Sequence, residues 1–306
     1  MKTRRESRAA GFRPAIPGLG IVLWLVTVAP AGAQELTWGG SADLTSGDYY
    51  FTETTTSVWI SNGLYARLGA LRLDASMPFV LQNSDVVTRV AGLPVPTGGP
   101  RHSGDVSSRG SGTGTGMGSG TGTMSSMVGD SANLIQIEQP GSLTLELADP
   151  LLGAGVELAT SSAVLTSVRF GVSAKAPLRS AESGIGTGEW DVGIGGGASF
   201  AAGRLYVLVD ATWWSLGDMP DLELDDILAY GASLGGPFGE GSLGWSLSLW
   251  GSTPMIDGID PPVSVGGDLY VNSISGRSLR FGLRFGLTDS AADVGGSVGW
   301  SIPIMN

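Results

Sequence analysis

Few side chains in this sequence could act in catalysis. The 306 residues include a single histidine, His102, and no cysteine. A thiol nucleophile, a disulfide and a Cys-ligated zinc site are therefore excluded. His102 lies in a segment rich in Gly, Ser and Thr, whereas a catalytic base must be held rigidly beside its nucleophile or water. The sequence predicts no catalytic residue and no enzyme.

Acidic and glycine-rich stretches offer two other kinds of site. Several carboxylates cluster where oxygen ligands could hold calcium, but none follows the spacing of a calcium loop, and a solvated acidic loop surface explains them better: Asp218, Asp221, Glu223, Asp225, Asp226, Asp257 and Asp260. Gly193–Gly197 resembles a phosphate-binding loop, yet it lies in an alternating segment with no helix after it. We predict no metal site and no cofactor.

Charged residues also recur on the polar side of alternating segments. From Leu279 to Leu287, large apolar residues alternate with Arg280, Gly282, Arg284 and Gly286, a pattern typical of a strand with two unlike faces. We predict that the charged members of these polar faces line a lumen: Arg72, Asp74, Glu157, Arg169, Lys175, Asp191, Asp210, Asp268, Arg280 and Arg284. They would pair with one another to hold the wall, set the selectivity of a pore, or do both.

The elements that position these residues are strands. Fifty glycines exclude a helical bundle, and an apolar share of 42% with nine tryptophans excludes a disordered chain. We expect an all-β fold, an antiparallel transmembrane β-barrel of about twelve strands, within a range of ten to fourteen. The strands are expected near 36–45, 55–67, 71–83, 149–160, 163–176, 188–201, 204–217, 226–235, 241–253, 262–273, 277–287 and 291–304.

The connections favour a membrane barrel over a soluble one. Short turns, such as Leu68–Ala70 and Ala202–Gly203, alternate with longer loops rich in Asp, Gly, Pro and Ser. That alternation is typical of an outer-membrane barrel, with both termini on the periplasmic rim. A soluble barrel of the lipocalin kind would put its large apolar side chains inside. The small Gly and Ser residues of the polar faces suit an open lumen better than a solvated surface.

The first 33 residues differ from the rest. Five basic residues precede the apolar run Ile21–Val28 and the small residues Ala31–Ala33, as in a signal peptide cleaved before Gln34. A retained anchor is the alternative, but the apolar run falls short of the roughly 20 residues that span a bilayer. Residues 34–306 keep 12 of the 17 basic and 27 of the 28 acidic residues, a formal charge of −15. Nucleic acid is therefore not expected as a partner.

Residues 84–148 are expected to form a long, largely low-complexity extracellular loop. Its centre, Gly110–Thr123, repeats Gly, Ser and Thr and cannot build a packed core. Leu134–Ile137 and Leu143–Leu147 are apolar enough for a hairpin that folds over the barrel mouth or extends the wall. A plain surface loop is the other interpretation.

Several short motifs resemble those of a known family. Lys175–Arg179, with Pro177, is followed by Gly186–Val192, and Met77–Phe79 and Ala148–Ala154 each contain a proline at a strand end. Together they resemble the Gram-negative outer-membrane β-barrels known as meta-pathway phenol-degradation transporters. The resemblance implies passage of small apolar or aromatic compounds across the outer membrane.

The leading prediction is a channel or passive transporter of the cell outer membrane. Its expected partners are outer-membrane lipid and lipopolysaccharide, the barrel assembly machinery and a small solute, and the barrel is expected to be a monomer. The alternative, a closed or plugged barrel with a structural or surface-interaction role, stays open.

Overall fold

The computed structural model describes residues 34–51, 54–84, 87–91, 93–97, 144–219 and 222–305. These residues form strands and one short 3₁₀ helix, Ala181–Ser183. The strands are β1 Gln34–Gly47, β2 Thr55–Leu68, β3 Leu71–Gln82, β4 Thr88–Val90, β5 Leu93–Val95, β6 Thr144–Leu147, β7 Leu151–Ala159, β8 Leu165–Lys175, β9 Asp191–Ala202, β10 Leu205–Ser215, β11 Ile227–Pro237, β12 Leu243–Ser252, β13 Val263–Asn272, β14 Ser278–Gly286 and β15 Val294–Met305. No helix in the described part of the chain is long and apolar enough to cross a membrane.

The wall is a closed antiparallel barrel of twelve strands. Each wall strand from β7 to β15 pairs with the next, β15 pairs with β1, and β1, β2 and β3 follow in order. β3 closes the circle by pairing with β7 along Leu71–Ser76 and with β6 along Phe79–Gln82. β6 and β7 therefore share one wall position, on either side of a break at 148–150. The predicted fold class and strand number are confirmed.

The two faces of the wall differ as the alternation predicts. On β14, the side chains of Phe281, Leu283 and Phe285 are 46%, 61% and 51% exposed. Their cross-strand partners on β13 and β15 include Leu269, Val265, Val298 and Val294, all of which are also exposed. These residues belong to an apolar outer band. Because the chain is pleated, the intervening residues, such as Gly282 and Arg284, point into the barrel.

Turn lengths distinguish the two rims. At the short-turn rim, Gly69 and Gly203 each adopt a left-handed φ of 64°, which a side chain would disfavour, and so they close tight connections. β1 begins at this rim and β15 ends there, with Leu36 opposite Met305. The strand ends that the longer connections join all lie at the opposite, long-loop rim: those of β1 and β2, β3 and β6, β8 and β9, β10 and β11, β12 and β13, and β14 and β15.

A packed core occupies the interior near the long-loop rim. The hairpin β4–β5 contributes Val90 and Val95, and the wall contributes Trp214 and Ile227. Loop residues complete this cluster: Ala181, Leu216, Met219, Leu222, Leu224, Met255 and Ile256. The sequence predicts an extracellular loop over all of 84–148 and gives no indication of the inward hairpin β4–β5. At the other end of that segment, β6 forms part of the wall by pairing with β3, while Leu134–Ile137, the other half of the predicted hairpin, lies outside the described residues.

Candidate functional site

The ten charged residues predicted to line the lumen alternate along their strands with the exposed apolar residues, so they lie on the other face of the pleated wall. Lys175 and Asp191 are buried, at 3% and 0% exposure, and do not line an open space. For the other eight, lining a lumen stays a prediction. The register sets Arg72, Asp74 and Glu157 opposite Gly155, Gly153 and Arg169. On the same face, Lys175 lies opposite Asp191, Asp210 opposite Gly197, Asp268 opposite Gly282, Arg280 opposite Gly299 and Arg284 opposite Gly295.

Three ion pairs link strands of the wall. Arg72 pairs with Glu157, Arg280 Nε lies 3.7 Å from Asp268 Oδ1, and Arg169 Nη2 lies 3.4 Å from Asp210 Oδ1. The last pair crosses β9 above Gly197, where an added Cβ would lie 2.8 Å from the Arg169 guanidinium. The side chains of Arg169 and Asp210 are 45% and 49% exposed, so this pair stabilises the wall only weakly.

A second polar cluster is fully buried, at the long-loop ends of β7, β8 and β9. Lys175 Nζ lies 3.0 Å from Asp191 Oδ2, 3.6 Å from Asp149 Oδ2 and 2.7 Å from Thr187 Oγ1. Asp149 Oδ1 also accepts hydrogen bonds from the backbone amides of Leu178 and Arg179. We call this group the Lys175 junction; it holds the loop 176–190 against the wall.

The Lys175 junction brings together the motifs that resemble the phenol-degradation transporters. Asp149 belongs to the Ala148–Ala154 motif, Lys175 to the Lys175–Arg179 motif, and Thr187 and Asp191 to the Gly186–Val192 motif. In this structure the motifs have an architectural role, because they join three strand ends rather than line a passage.

Two arginines stack on tryptophans around a cavity inside the barrel. The Arg89 guanidinium carbon lies 4.3 Å from the Trp59 ring centroid, and that of Arg284 lies 4.8 Å from the Trp250 ring centroid. Both pairs line a cavity of about 230 Å³ between the hairpin β4–β5 and strands β1, β2, β12, β13 and β14. A smaller cavity of about 30 Å³ adjoins it through Thr45, Trp250 and Arg284, and is also lined by Asp43, Asp268 and Arg280.

The environment of Arg89 disfavours its positive charge. Burial lowers the pKa of Arg89 to about 10, and repulsion from Arg284 acts in the same direction, while Asp43 and Tyr49 oppose it. At neutral pH Arg89 is still protonated. No carboxylate in the described part of the chain forms an ion pair with Arg89 or Arg284.

The aromatic residues of this cavity were missed by the sequence analysis. Trp59 lies on β2 between Ser57 and Ser61, and Trp250 shares the inward face of β12 with Ser246 and Ser248. A bulky ring on a strand face that otherwise carries small, polar residues could have identified them as candidate site residues. Arg89 offered no such signal, because β4 is only three residues long and shows no periodicity.

The other predicted features have structural explanations. Asp218 and Asp226 accept hydrogen bonds from the amides of Leu224 and Leu216, so they shape their loop. Gly193–Gly197 lies within β9, and an added Cβ at Gly193 would meet the Trp214 ring at 2.8 Å. No group of metal-binding side chains occurs among the residues that the structure describes. His102, Asp221, Gly110–Thr123 and Leu134–Ile137 lie outside them.

This chain resembles known proteins in its three-dimensional structure. No family model and no curated protein sequence matches it. Its structure is similar to that of an outer membrane channel from Pseudomonas putida F1, with 11% identity, coverage of 91% of this chain and 98% of the channel, and a TM-score of 0.58.

Two further matches have lower structural similarity. A NanC porin shares 7% identity, with coverage of 89% and 100% and a TM-score of 0.44. Outer membrane phospholipase A from Escherichia coli shares 12% identity, with coverage of 92% and 99% and a TM-score of 0.37.

The closed barrel and its apolar outer surface both indicate a membrane protein. Only helices and closed barrels satisfy every backbone hydrogen bond in lipid. This barrel is closed, antiparallel and apolar outside, and its architecture is that of the Pseudomonas putida F1 channel. The chain is a transmembrane β-barrel of the outer-membrane type and is located in the outer membrane.

Proposed function

We propose that the barrel is a channel or passive transporter for small solutes. The observation that carries this proposal is the charged face of the wall strands, on which eight of the ten predicted residues lie outside the buried Lys175 junction, in a wall whose outer surface is apolar. Charged pairs that are nearly half exposed, such as Arg169–Asp210, suit an aqueous passage, whereas a barrel filled with apolar side chains along its whole length would not accommodate them. The motif resemblance and the inward tryptophans support small apolar or aromatic compounds as the solutes.

The hairpin β4–β5 makes the proposal testable. It occupies the interior near the long-loop rim, so replacing residues 87–97 with a Gly-Ser linker of equal length should raise single-channel conductance in planar bilayers. The matched control replaces residues 104–114, already rich in Gly, Ser and Thr, in the same way. We expect the control to leave conductance unchanged. Absence of conductance in both proteins would contradict the proposal, whereas wild-type conductance that does not rise would show that the hairpin does not narrow the passage.

A second candidate function is a plugged barrel with a structural or surface-interaction role. It is favoured by the core that Val90 and Val95 form with loop residues such as Leu222 and Met255. The same bilayer experiment separates the two candidates. A plugged structural barrel conducts neither as wild type nor after the hairpin is replaced.

The remaining expectations concern partners and catalysis. We propose a monomer, inserted by the barrel assembly machinery, whose acidic loops contact lipopolysaccharide through divalent ions. Outer membrane phospholipase A shows that barrels of this general kind include enzymes. The single histidine of the chain lies outside the described residues, and the absence of enzymatic activity stays a prediction.

A further inference from the structure

The cavity of about 230 Å³ has an unusual lining. Two guanidinium groups, those of Arg89 and Arg284, border it, and none of its described lining residues carries a carboxylate. The acidic groups of this region, Asp43 and Asp268, line the smaller adjoining cavity instead. The lining of the larger cavity therefore carries two positive charges and no carboxylate, and Asp43, whose charge acts on Arg89, borders only the adjoining cavity.

The two arginines differ from the others on the inward face. Arg72, Arg169 and Arg280 each pair with a carboxylate. Arg284 instead stacks on Trp250, and its buried Nε has no hydrogen-bond partner. A buried donor without a partner costs free energy unless something outside the described chain accepts its hydrogen bond.

The rest of the lining is apolar or aromatic. Trp59 and Trp250 form two sides, and Tyr49, Val87, Leu93 and Pro94 complete much of the surface. Hydroxyl groups come from Thr45, Ser57 and Ser264. A cavity of roughly 150 Å³ is enough to hold benzene, so this one has room for a single ring with a small substituent.

We propose that this cavity is a binding site for a small aromatic carboxylate. The carboxylate lies between the guanidinium groups of Arg89 and Arg284, since charge-assisted hydrogen bonds to arginine are among the strongest in proteins. The ring packs against Trp59, Trp250 and the apolar residues of the hairpin. The inference deepens the proposed function, on which it rests for its biological meaning, because it gives the charge class of one solute.

The pKa of Arg89 is consistent with such a ligand. Burial and the charge of Arg284 lower it to about 10. A bound carboxylate would favour the protonated form of both arginines. The hairpin that carries Arg89 would thus be held more firmly when the ligand is present.

Isothermal titration calorimetry of the purified full-length barrel in detergent tests the site with benzoate as the probe. Benzoate should bind, and neutral benzamide, which has nearly the same shape, should bind at least about tenfold more weakly. Acetate, which lacks the ring, should also bind more weakly. Undetectable benzoate binding, or equal affinity for either analogue, would overturn the proposal.

Variants assign the binding to the two arginines. Arg284→Gln and Arg89→Gln should each weaken benzoate binding about tenfold, while Arg169→Gln, at an inward arginine away from the cavity, should leave it unchanged. Arg284 lies on the wall, so its variant remains informative if Arg89→Gln disturbs the hairpin; heat-modifiable migration reports folding in each case. An equal loss in Arg169→Gln would refute the assignment. Benzoate binding without conductance would reject the channel alone, and conductance without binding would reject the site alone.

Discussion

Lys175 is buried between two carboxylates, and removing it should be costly. Lys175 is 3% exposed, Asp191 is 0% exposed and Asp149 is 6% exposed. Lys175→Met would leave both carboxylates without their cation, so we expect a loss of about 3–5 kcal/mol in the free energy of unfolding. Denaturant titration of the barrel in detergent measures it.

The matched control is Arg169→Met, at a pair whose side chains are nearly half exposed. Exposed pairs contribute about 0–1 kcal/mol. Equal losses in the two variants would show that burial does not set the strength of these pairs, and the Lys175 junction would then hold its loop no more firmly than an exposed pair does.

The burial of Tyr49 predicts that the stability of the barrel falls at alkaline pH. It lies in the loop after β1 and is 2% exposed, and burial, the largest influence, raises the pKa of its phenol above the ordinary value of 10.0. Above pH 10 the unfolded chain loses this proton first, so it binds fewer protons than the folded state and stability falls as pH rises. Below pH 10 the contribution is fully present.

Tyr49→Phe removes the ionisable group and should flatten the decline in stability above pH 10. The slope is the quantity to compare, because removing the hydroxyl also changes the packing around Tyr49, which is 2% exposed. Thermal unfolding followed by gel migration between pH 8 and pH 11 provides it. Parallel curves for variant and wild type would be inconsistent with a buried, neutral phenol.

At the scale of elements, β14 tests which face of the wall meets lipid. Leu283 lies near the middle of the strand and is 61% exposed. Leu283→Arg should cost about 2–4 kcal/mol, since charge at the bilayer midplane is unfavourable. Leu279→Arg, on the same face beside the turn 273–277, should cost only about 0–1 kcal/mol. Refolding into lipid vesicles measures both, and a negligible cost at Leu283 would reverse the assigned faces.

The wall strands were predictable because alternation and turn residues coincide along them. Leu279–Leu287 alternates without interruption, and Gly69 and Gly203 mark tight turns. β6 was harder, because Pro150 interrupts the pattern between Leu147 and Leu151. β4 and β5 have three residues each, too few for any periodicity.

The candidate site was predictable only in part, for a related reason. Successive side chains of a strand point to opposite faces, so the face on which a charge lies can be read from the nearby sequence. The inward positions of Arg280 and Arg284 could therefore be proposed from sequence. The stacking of Arg89 on Trp59 and of Arg284 on Trp250 depends on which strands become neighbours and on where a hairpin settles. Those contacts arise only when the barrel closes, and no local sequence pattern predicts them.

At the scale of the whole molecule, the export signal predicts where the mature chain begins. The Ala31–Ala33 site fits cleavage before Gln34. Intact-mass analysis of protein purified from membranes should give a mass without residues 1–33. A mass that includes them would instead support a retained anchor.

The pairing of β1 with β15 also means that the order of the strands along the chain is partly arbitrary. Leu36 faces Met305 across one ladder position at the short-turn rim, and residues opposite each other in antiparallel strands have Cα atoms about 5 Å apart. A short linker could join the two ends into a circle without disturbing a wall strand. The barrel could then be opened at another short turn, such as 273–277, to give a circular permutant with every backbone pairing kept. Because the wall closes on itself, a chain that begins at another strand could form the same barrel.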